Sequence, residues 1–495
     1  MNSFVSSMQK DNNMTMTENG ALAMKSTYSD IVDLFGTIGA LRSRETSEVE
    51  RLFAKAFAED KLLATKMSFY ARNVRGGLGE RTTARVIWRY LANSQPDIMR
   101  KNIQFVPFFG RWDDLYYLLD TPVEKDVWEL IRAQYEADVE GMQKQEGISI
   151  MAKWLKNANS KNATFASWGK RTARALHMSD KDYRKAMSAL RTYLDVVEVK
   201  MSKGDFSAIT YSAVSSRAMV RYRKAFTSHD EVGFQNYLDS LIKGETKVNA
   251  STLYPYDIME QYGLTESYGW RDSYLKCSKS YDTVLEEQWK ALPNYVQGEN
   301  NVLVMADTSG SMSGRPLATS VGLAIYFAER NKGAFKDVFM TFSESPKFVT
   351  LKGATLRDKI SSVEAIVENT DIEKAFAKIL EVSKENNVPA EDMPKALVII
   401  SDMEFDRGTS YTEYTYHERF AKMYEDAGYT LPTIIYWNVA SRQDTFHVAC
   451  DKQGVQLASG SSASTFQSII RNIGKTPYQA VVETLSDEMY SMITV

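Results

Sequence analysis

The chain is poor in the residues that staple or metallate small folds. Its 495 residues include 2 cysteines, Cys277 and Cys450, and 4 histidines. Two cysteines so far apart exclude a disulfide framework and suit a reducing compartment, so a cytoplasmic location is expected. Neither cysteine has a second Cys at zinc-ligand spacing, and His177, His229, His417 and His447 are scattered. No run of about eighteen apolar residues occurs, so no membrane span or membrane partner is expected. The opening "MNSFVSSMQKDNNMTMTENG" lacks a basic stretch followed by an apolar core, which argues against a secretory signal. Its Asn, Ser, Thr and Met content reads as a flexible tail over residues 1–25. "RGGLGER" at 75–81 is glycine-rich, but no strand pattern precedes it and no GK[ST] follows. It is therefore read as a turn between helices and not as a P-loop.

What is present points to a multidomain globular protein. The length suffices for two or more cores, and 44% hydrophobic with 25% charged residues is ordinary for one. The net charge of -3 hides an asymmetry. Residues 151–230 carry 16 Lys and Arg against 6 Asp and Glu, whereas residues 301–495 carry 19 against 25. A basic segment joined to a mildly acidic one implies an anionic partner for the first alone.

From about Tyr28 to Leu285 the periodicity is helical. "EVERLFAKAFAED", capped by Thr46 or Ser47, "KLLATKMSFYARNV" and "RTTARVIWRYLANS" follow one another. "YRKAMSALRTYLDVVEVK" predicts one helix, with Tyr183, Met187, Leu190, Leu194 and Val197 on a buried stripe and Arg184, Lys185 and Arg191 off it. Short helices joined by short turns predict stacked pairs in the manner of a HEAT-like solenoid, over residues 26–290.

From Asn301 the grammar changes. "NVLVMA", "DVFMTF", "KFVTL", "ALVIIS" and "TIIYWNV" are short, β-rich and mostly apolar throughout, as parallel strands covered on both faces should be. They alternate with the helical patterns "ATSVGLAIYFAERN", "IEKAFAKILEVSKEN" and "HERFAKMYEDAG". Residues 291–495 are thus expected to form a doubly wound α/β domain, with its site beyond the carboxyl ends of the strands.

Two strand ends supply the chemistry. "VLVMADTSGSMSG" places Asp307, Ser309 and Ser311 directly after the first strand, and "SDMEFD" places Asp402 after a later one. Thr370 stands before a helix in "ENTDIEKAF". Five oxygen side chains converging on one sheet edge suit a hard divalent cation such as Mg2+. Hydroxyl donors leave its charge poorly neutralised, so it can accept a further acidic oxygen from outside.

This D-x-S-x-S pattern resembles the metal-ion-dependent adhesion site (MIDAS) of the von Willebrand factor A domain. The resemblance implies metal ligation by Asp307, Ser309, Ser311, Thr370 and Asp402, with the hydroxyls in direct contact and the aspartates acting largely through water. An A domain behind a basic helical region resembles the Ro autoantigen family, which joins a TROVE ring of HEAT-like helices to an A domain. "GVQLASGSSASTFQSIIRNIG" is similar to that family's last strand and helix. The helical part is more similar to a TROVE-like family of unassigned function from plants, fungi, bacteria and phages. That similarity rests on "RGGLGER", "FGRWDDLYYLL", "YRKAMSALRTYLDVVE", "SSRAMVRYRKAF" and "LYPYDIM". The Ro resemblance implies binding of small structured noncoding RNA, and of single-stranded 3' ends of misfolded RNA, by a basic helical ring. It also implies an exoribonuclease or another protein as a partner through the A domain.

Phosphate binding needs several cations on one surface. The candidates are Arg72, Arg75, Arg81 and Arg85 in the first helices, and Lys170, Arg171, Arg174, Lys181, Arg184, Lys185 and Arg191 in the middle. Arg217, Arg221, Arg223 and Lys224 complete the set. Trp168, Tyr183 and Tyr222 are candidate stacking platforms. The alternative is a protein-interaction adaptor whose metal captures an acidic residue of a partner. An enzyme is not expected: Asp402, Glu404 and Asp406 lie near the candidate metal, but no histidine base accompanies them.

Overall fold

The computed structural model describes residues 8, 12–267, 274–296, 301–342, 346–363, 371–406 and 416–495. Six strands build the central sheet. They are β5 (Val302–Asp307), β6 (Val338–Phe342), β7 (Lys347–Thr350), β8 (Ala396–Ser401), β9 (Thr433–Asn438) and β10 (Val455–Ser459), in the order β10-β9-β8-β5-β6-β7. All neighbours are parallel except β6 and β7, which are antiparallel. Strands β5, β8, β9 and β10 are buried nearly throughout because both faces are covered, whereas β7, expected among the parallel strands, is an antiparallel edge strand with Phe348 and Thr350 exposed. Val302, Val304 and Ala306 of β5 point into one core with the Arg315–Arg330 helix, while Leu303 and Met305 point into the other. The expected α/β domain is therefore present, and β5 and β8 end side by side.

Residues 30–290 are helix-rich, as expected. Thr46–Glu59, Lys61–Arg72 and Arg81–Ser94 pack against one another in sequence order. Asp60 caps the second of these by accepting from the Leu63 amide at 2.9 Å. The first begins after Glu45, with no side-chain cap from Thr46 or Ser47. The long helix expected at 183–200 is two helices, Asp180–Tyr193 and Val197–Lys203. Asp195 interrupts them at φ 51°, a left-handed conformation that ends a helix. The buried stripe is thus Tyr183, Met187 and Leu190, and Val197 packs against a separate cluster around Phe226 and Met219.

Residues 12–25 depart from the expected flexible tail. β1 (Met14–Met16) and β2 (Leu22–Met24) form an antiparallel hairpin. Met24 exchanges backbone hydrogen bonds with Phe446 of the α/β domain. A second small hairpin, β3 (Leu264–Ser267) with β4 (Tyr274–Cys277), precedes that domain. Neither was legible as a period-2 pattern because the strands are three or four residues long.

The boundary expected near residue 290 marks a change of secondary structure, but the apolar core crosses it. One continuous cluster runs from Ile31 through Trp88 and Met187 to Leu397 and Tyr436 on one face of the sheet. Gly39 makes the closest approach. A Cβ there would lie 2.6 Å from the backbone of Ser459 and Gly460. The helical segment also returns to its own beginning. Gly79, at φ 65°, lies against the Tyr254 hydroxyl, where a Cβ would be 1.9 Å away. The turn at "RGGLGER" therefore meets "LYPYDIM", 175 residues later, and the chain between them closes on itself.

Candidate functional site

The sheet edge brings the sequence-predicted oxygens together. Asp307 is fully buried at the end of β5, and Asp402 is 1% exposed just after β8. Ser401 Oγ donates to Asp307 Oδ2 at 2.5 Å, and the Ser309 amide donates to Asp307 Oδ1 at 2.9 Å. Both bonds orient one carboxylate toward the loop. Ser309 Oγ and Ser311 Oγ lie 3.1 Å apart. The Glu404 amide donates to Asp402 Oδ1 at 3.3 Å, while the buried Asp402 Oδ2 has no hydrogen-bond partner among the described residues. Thr370, the fifth expected ligand, lies outside the described residues.

Electrostatics favour a cation here. Burial, and secondarily the charge of Asp402, pushes the Asp307 carboxyl up to about 7. Two carboxylates in one buried site repel each other unless a proton or a cation intervenes. Among the described residues no cluster of three or more His, Cys, Asp or Glu is suited to a metal. A metal at this edge therefore depends on the serine hydroxyls, which suits Mg2+ better than a softer ion. Two serines and two aspartates, one with an orphaned buried oxygen, fit such an ion.

The geometry also shows neighbours that the sequence did not point to. Arg442, after β9, donates to the Ser311 carbonyl at 2.5 Å and stands 3.6 Å from Asp402 Oδ2. Its other terminal nitrogen donates to Glu18 in the hairpin turn at 3.3 Å. Glu404, two residues beyond Asp402, accepts from the Glu18 amide at 2.7 Å. Arg442 and Glu18 carry no spacing signal relative to the serines. Only the docking of the N-terminal hairpin brings them there.

The fifteen candidate phosphate cations separate into three groups. Several are structural. Arg72 and Arg85 are buried and converge on Asp114, with Nε to carboxylate distances of 2.8 and 2.7 Å. Arg171 pairs with Asp120 and Glu124. Arg191 donates to the Ala152 and Leu155 carbonyls and to Asn157. Arg217 pairs with Asp257, and the buried Arg223 with Asp282. These six are engaged in contacts that brace the helices to one another. Arg75 is exposed and donates to the Phe108 carbonyl. Arg81, Arg221 and Lys224 are exposed.

Lys170, Arg174, Lys181, Arg184 and Lys185 form the third group. All five are exposed, and none makes a side-chain ion pair among the described residues. They occupy two consecutive helices, Ala163–Ala175 and Asp180–Tyr193, joined by residues 176–179. The reason is local. Gly169, Thr172 and Ala173 of the first helix, and Tyr183, Met187 and Leu190 of the second, face the core. The cations lie at the positions between.

The expected stacking residues are engaged elsewhere. Tyr183 is buried and donates to the Lys156 carbonyl. Tyr222 donates to Glu198. Trp168 stacks between Tyr116, at 1° and 5.0 Å, and Phe165, at 27° and 5.6 Å. Phe165 is the outer ring of this stack and is 38% exposed, with Lys156 Nζ 4.7 Å from its centroid.

Removing Asp114 is expected to cost about 3–5 kcal/mol, because it leaves the buried guanidiniums of Arg72 and Arg85 without their shared counter-charge. Chemical denaturation of Asp114→Ala measures this. A loss below about 1 kcal/mol contradicts the bracing role.

Comparison with known proteins places the chain. The family model described as a domain of unknown function (DUF2828) matches residues 17–161 and 146–301, more than half of the sequence. The chain belongs to the DUF2828 family. A second model, a domain of unknown function (DUF7788), matches residues 301–489, the α/β part with the Asp307–Ser311 loop. An uncharacterised protein of Acanthamoeba polyphaga mimivirus is 27% identical over 517 residues, covering 96% of this chain and 87% of the viral protein. The crystal structure of the Ro (RSR) protein of Deinococcus radiodurans aligns at 15% identity with a TM-score of 0.44, covering 89% of this chain and 99% of that one. Among the described residues no helix is long and apolar enough to cross a membrane.

Proposed function

We propose that this DUF2828 protein is a non-catalytic RNA-binding protein. Its phosphate surface is the pair of helices Ala163–Ala175 and Asp180–Tyr193, and it holds a divalent cation such as Mg2+ at Asp307, Ser309, Ser311 and Asp402. The observation that carries the RNA reading is the five exposed cations on two adjoining helices that make no ion pair among the described residues, beside arginines that are consumed by internal ion pairs. Long-range attraction to a polyanion needs such uncompensated charge, and internal pairs do not supply it. Phe165 at the edge of this surface offers a ring for an unpaired base, so structured RNA with single-stranded ends is the ligand class. The resemblance to the Ro family points to the same class and to small noncoding RNAs in particular.

The test is the absorbance ratio at 260 and 280 nm of protein purified at low salt, followed by sequencing of any bound nucleic acid. A discrete set of small RNAs removable by high salt supports the reading. A clean protein spectrum, with no binding to added RNA bearing single-stranded 3' ends, sinks it. The second reading, capture of a partner's acidic residue by the cation, is favoured by one feature. The serine hydroxyls and orphaned Asp402 oxygen leave a bound cation undercompensated. Cation-dependent retention of a protein partner that EDTA releases supports it.

A further inference from the structure

The N-terminal hairpin carries an acid to the rim of the cation site. Its turn is stitched to the loop after β8 by three hydrogen bonds. Thr17 Oγ1 donates to the Phe405 carbonyl at 2.6 Å, the Glu18 amide to Glu404 Oε2 at 2.7 Å, and Asn19 Nδ2 to the Glu404 carbonyl at 2.7 Å. Glu18 Oε2 then receives Arg442 Nη1 at 3.3 Å, and Glu18 Oε1 receives Gln443 Nε2 at 3.3 Å. The other end of the Arg442 guanidinium lies between the Ser311 carbonyl and Asp402 Oδ2. Arg442 is therefore shared between two acids, one in the site and one in the hairpin. Among the described residues, it is the one positive charge within ion-pair distance of the buried Asp402 carboxylate, and Asp307 beside it has no ion pair.

We propose that Arg442 is a built-in counter-ion that exchanges with the divalent cation, and that Glu18 holds it in the exchanged state. The proposal rests on the cation-site reading above. The argument is one of charge and space. Asp402 Oδ2 is buried and accepts no hydrogen bond among the described residues, so it requires a positive charge nearby. A divalent ion on the serine hydroxyls would stand within a few ångströms of the guanidinium, and like charges at that separation in a partly buried site repel strongly. The two cations are alternatives. Arg442 and Glu18 side chains are each 38% exposed, so the guanidinium has room to swing from Asp402 toward Glu18 without unpacking the core. Arg is suited to this because its planar fork reaches both acids at once. The affinity of the site for a cation is then set by the balance between two acids competing for Arg442. The position of Arg442 at the rim reports to the hairpin whether the ion is bound.

Isothermal titration of the full-length protein with Mn2+ tests the exchange. Arg442→Gln removes the competitor and is expected to bind Mn2+ about tenfold more tightly. Glu18→Gln removes the alternative acceptor, leaves Arg442 on Asp402, and is expected to bind several-fold more weakly. Arg442→Lys keeps the competing charge but loses the fork that reaches both acids, and is expected to bind Mn2+ less tightly than Arg442→Gln, so a gain that follows the charge does not come from loosened packing. Unchanged or weaker binding by Arg442→Gln, or unchanged binding by Glu18→Gln, overturns the exchange while the cation site stands. No heat of Mn2+ binding in wild type or in any variant overturns the cation-site reading itself, and this inference with it.

Discussion

Replacing Asp307 by asparagine is expected to abolish the rise in melting temperature that Mg2+ or Mn2+ gives the wild-type protein. The asparagine keeps the shape and an oxygen for the Ser401 hydroxyl, but it removes the charge. A cation present at a hundred times its Kd stabilises a folded protein by about 2.7 kcal/mol, and that gain is what the variant loses. The pH dependence has a definite sign. The Asp307 carboxyl is pushed up to about 7 in the folded protein, above its ordinary value of 3.8. In the metal-free protein its contribution is therefore fully favourable below about pH 4 and is lost as pH rises through about 7. A cation needs the ionised form, so cation stabilisation of the wild type grows from pH 6 to pH 8. Differential scanning fluorimetry at those two pH values, with and without 5 to 10 mM Mg2+ (on the order of typical weak-site concentrations), reads all of this. Equal cation shifts in wild type and Asp307→Asn remove Asp307 from the site.

The second large effect concerns RNA. A triple variant, Lys181→Ala with Arg184→Ala and Lys185→Ala, is expected to weaken RNA binding by roughly a hundredfold at moderate salt, at on the order of 1 kcal/mol per lost phosphate contact. The slope of log K against log salt should flatten by about 2, from about 0.7 per single-stranded phosphate released. All three side chains are exposed and make no ion pair among the described residues, so the fold should be untouched. Arg191→Ala is the instructive contrast. Arg191 lies on the same helix but is bound to two carbonyls and to Asn157. Its loss should lower stability and leave the salt slope unaltered. Filter binding over a salt series, paired with urea denaturation, separates the two. An unaltered slope in the triple variant moves the phosphate surface elsewhere.

Much of this architecture is legible in the chain alone, for definable reasons. Strand identity in the α/β part follows from local composition. A run such as "ALVIIS" is apolar on both faces only where helices cover both sides of a sheet. The convergence of Asp307 and Asp402 follows from the rule that parallel strands deliver their carboxyl ends to one edge, and β5 and β8 are neighbours. The helix-rich character of the first part follows from its 3.6-residue periodicity.

Tertiary structure decided the rest. Periodicity tells which face of a helix is polar, but not whether another helix lays an acid against it. Arg184 and Arg191 both lie off the buried stripe of one helix. One is exposed, and the other is spent on Ala152, Leu155 and Asn157 across a helix contact. Arg72 and Arg85 read as surface cations until Asp114, 42 and 29 residues away, draws them inward. The N-terminal residues read as a polar tail because a hairpin with three-residue strands leaves no period to detect. Its order comes from Phe405, Glu404 and Phe446, nearly four hundred residues downstream. Charge and pattern along the chain set which residues are available. Which of them remain unpaired, and which meet at the sheet edge, depends on contacts between segments far apart in sequence, and no local rule encodes those.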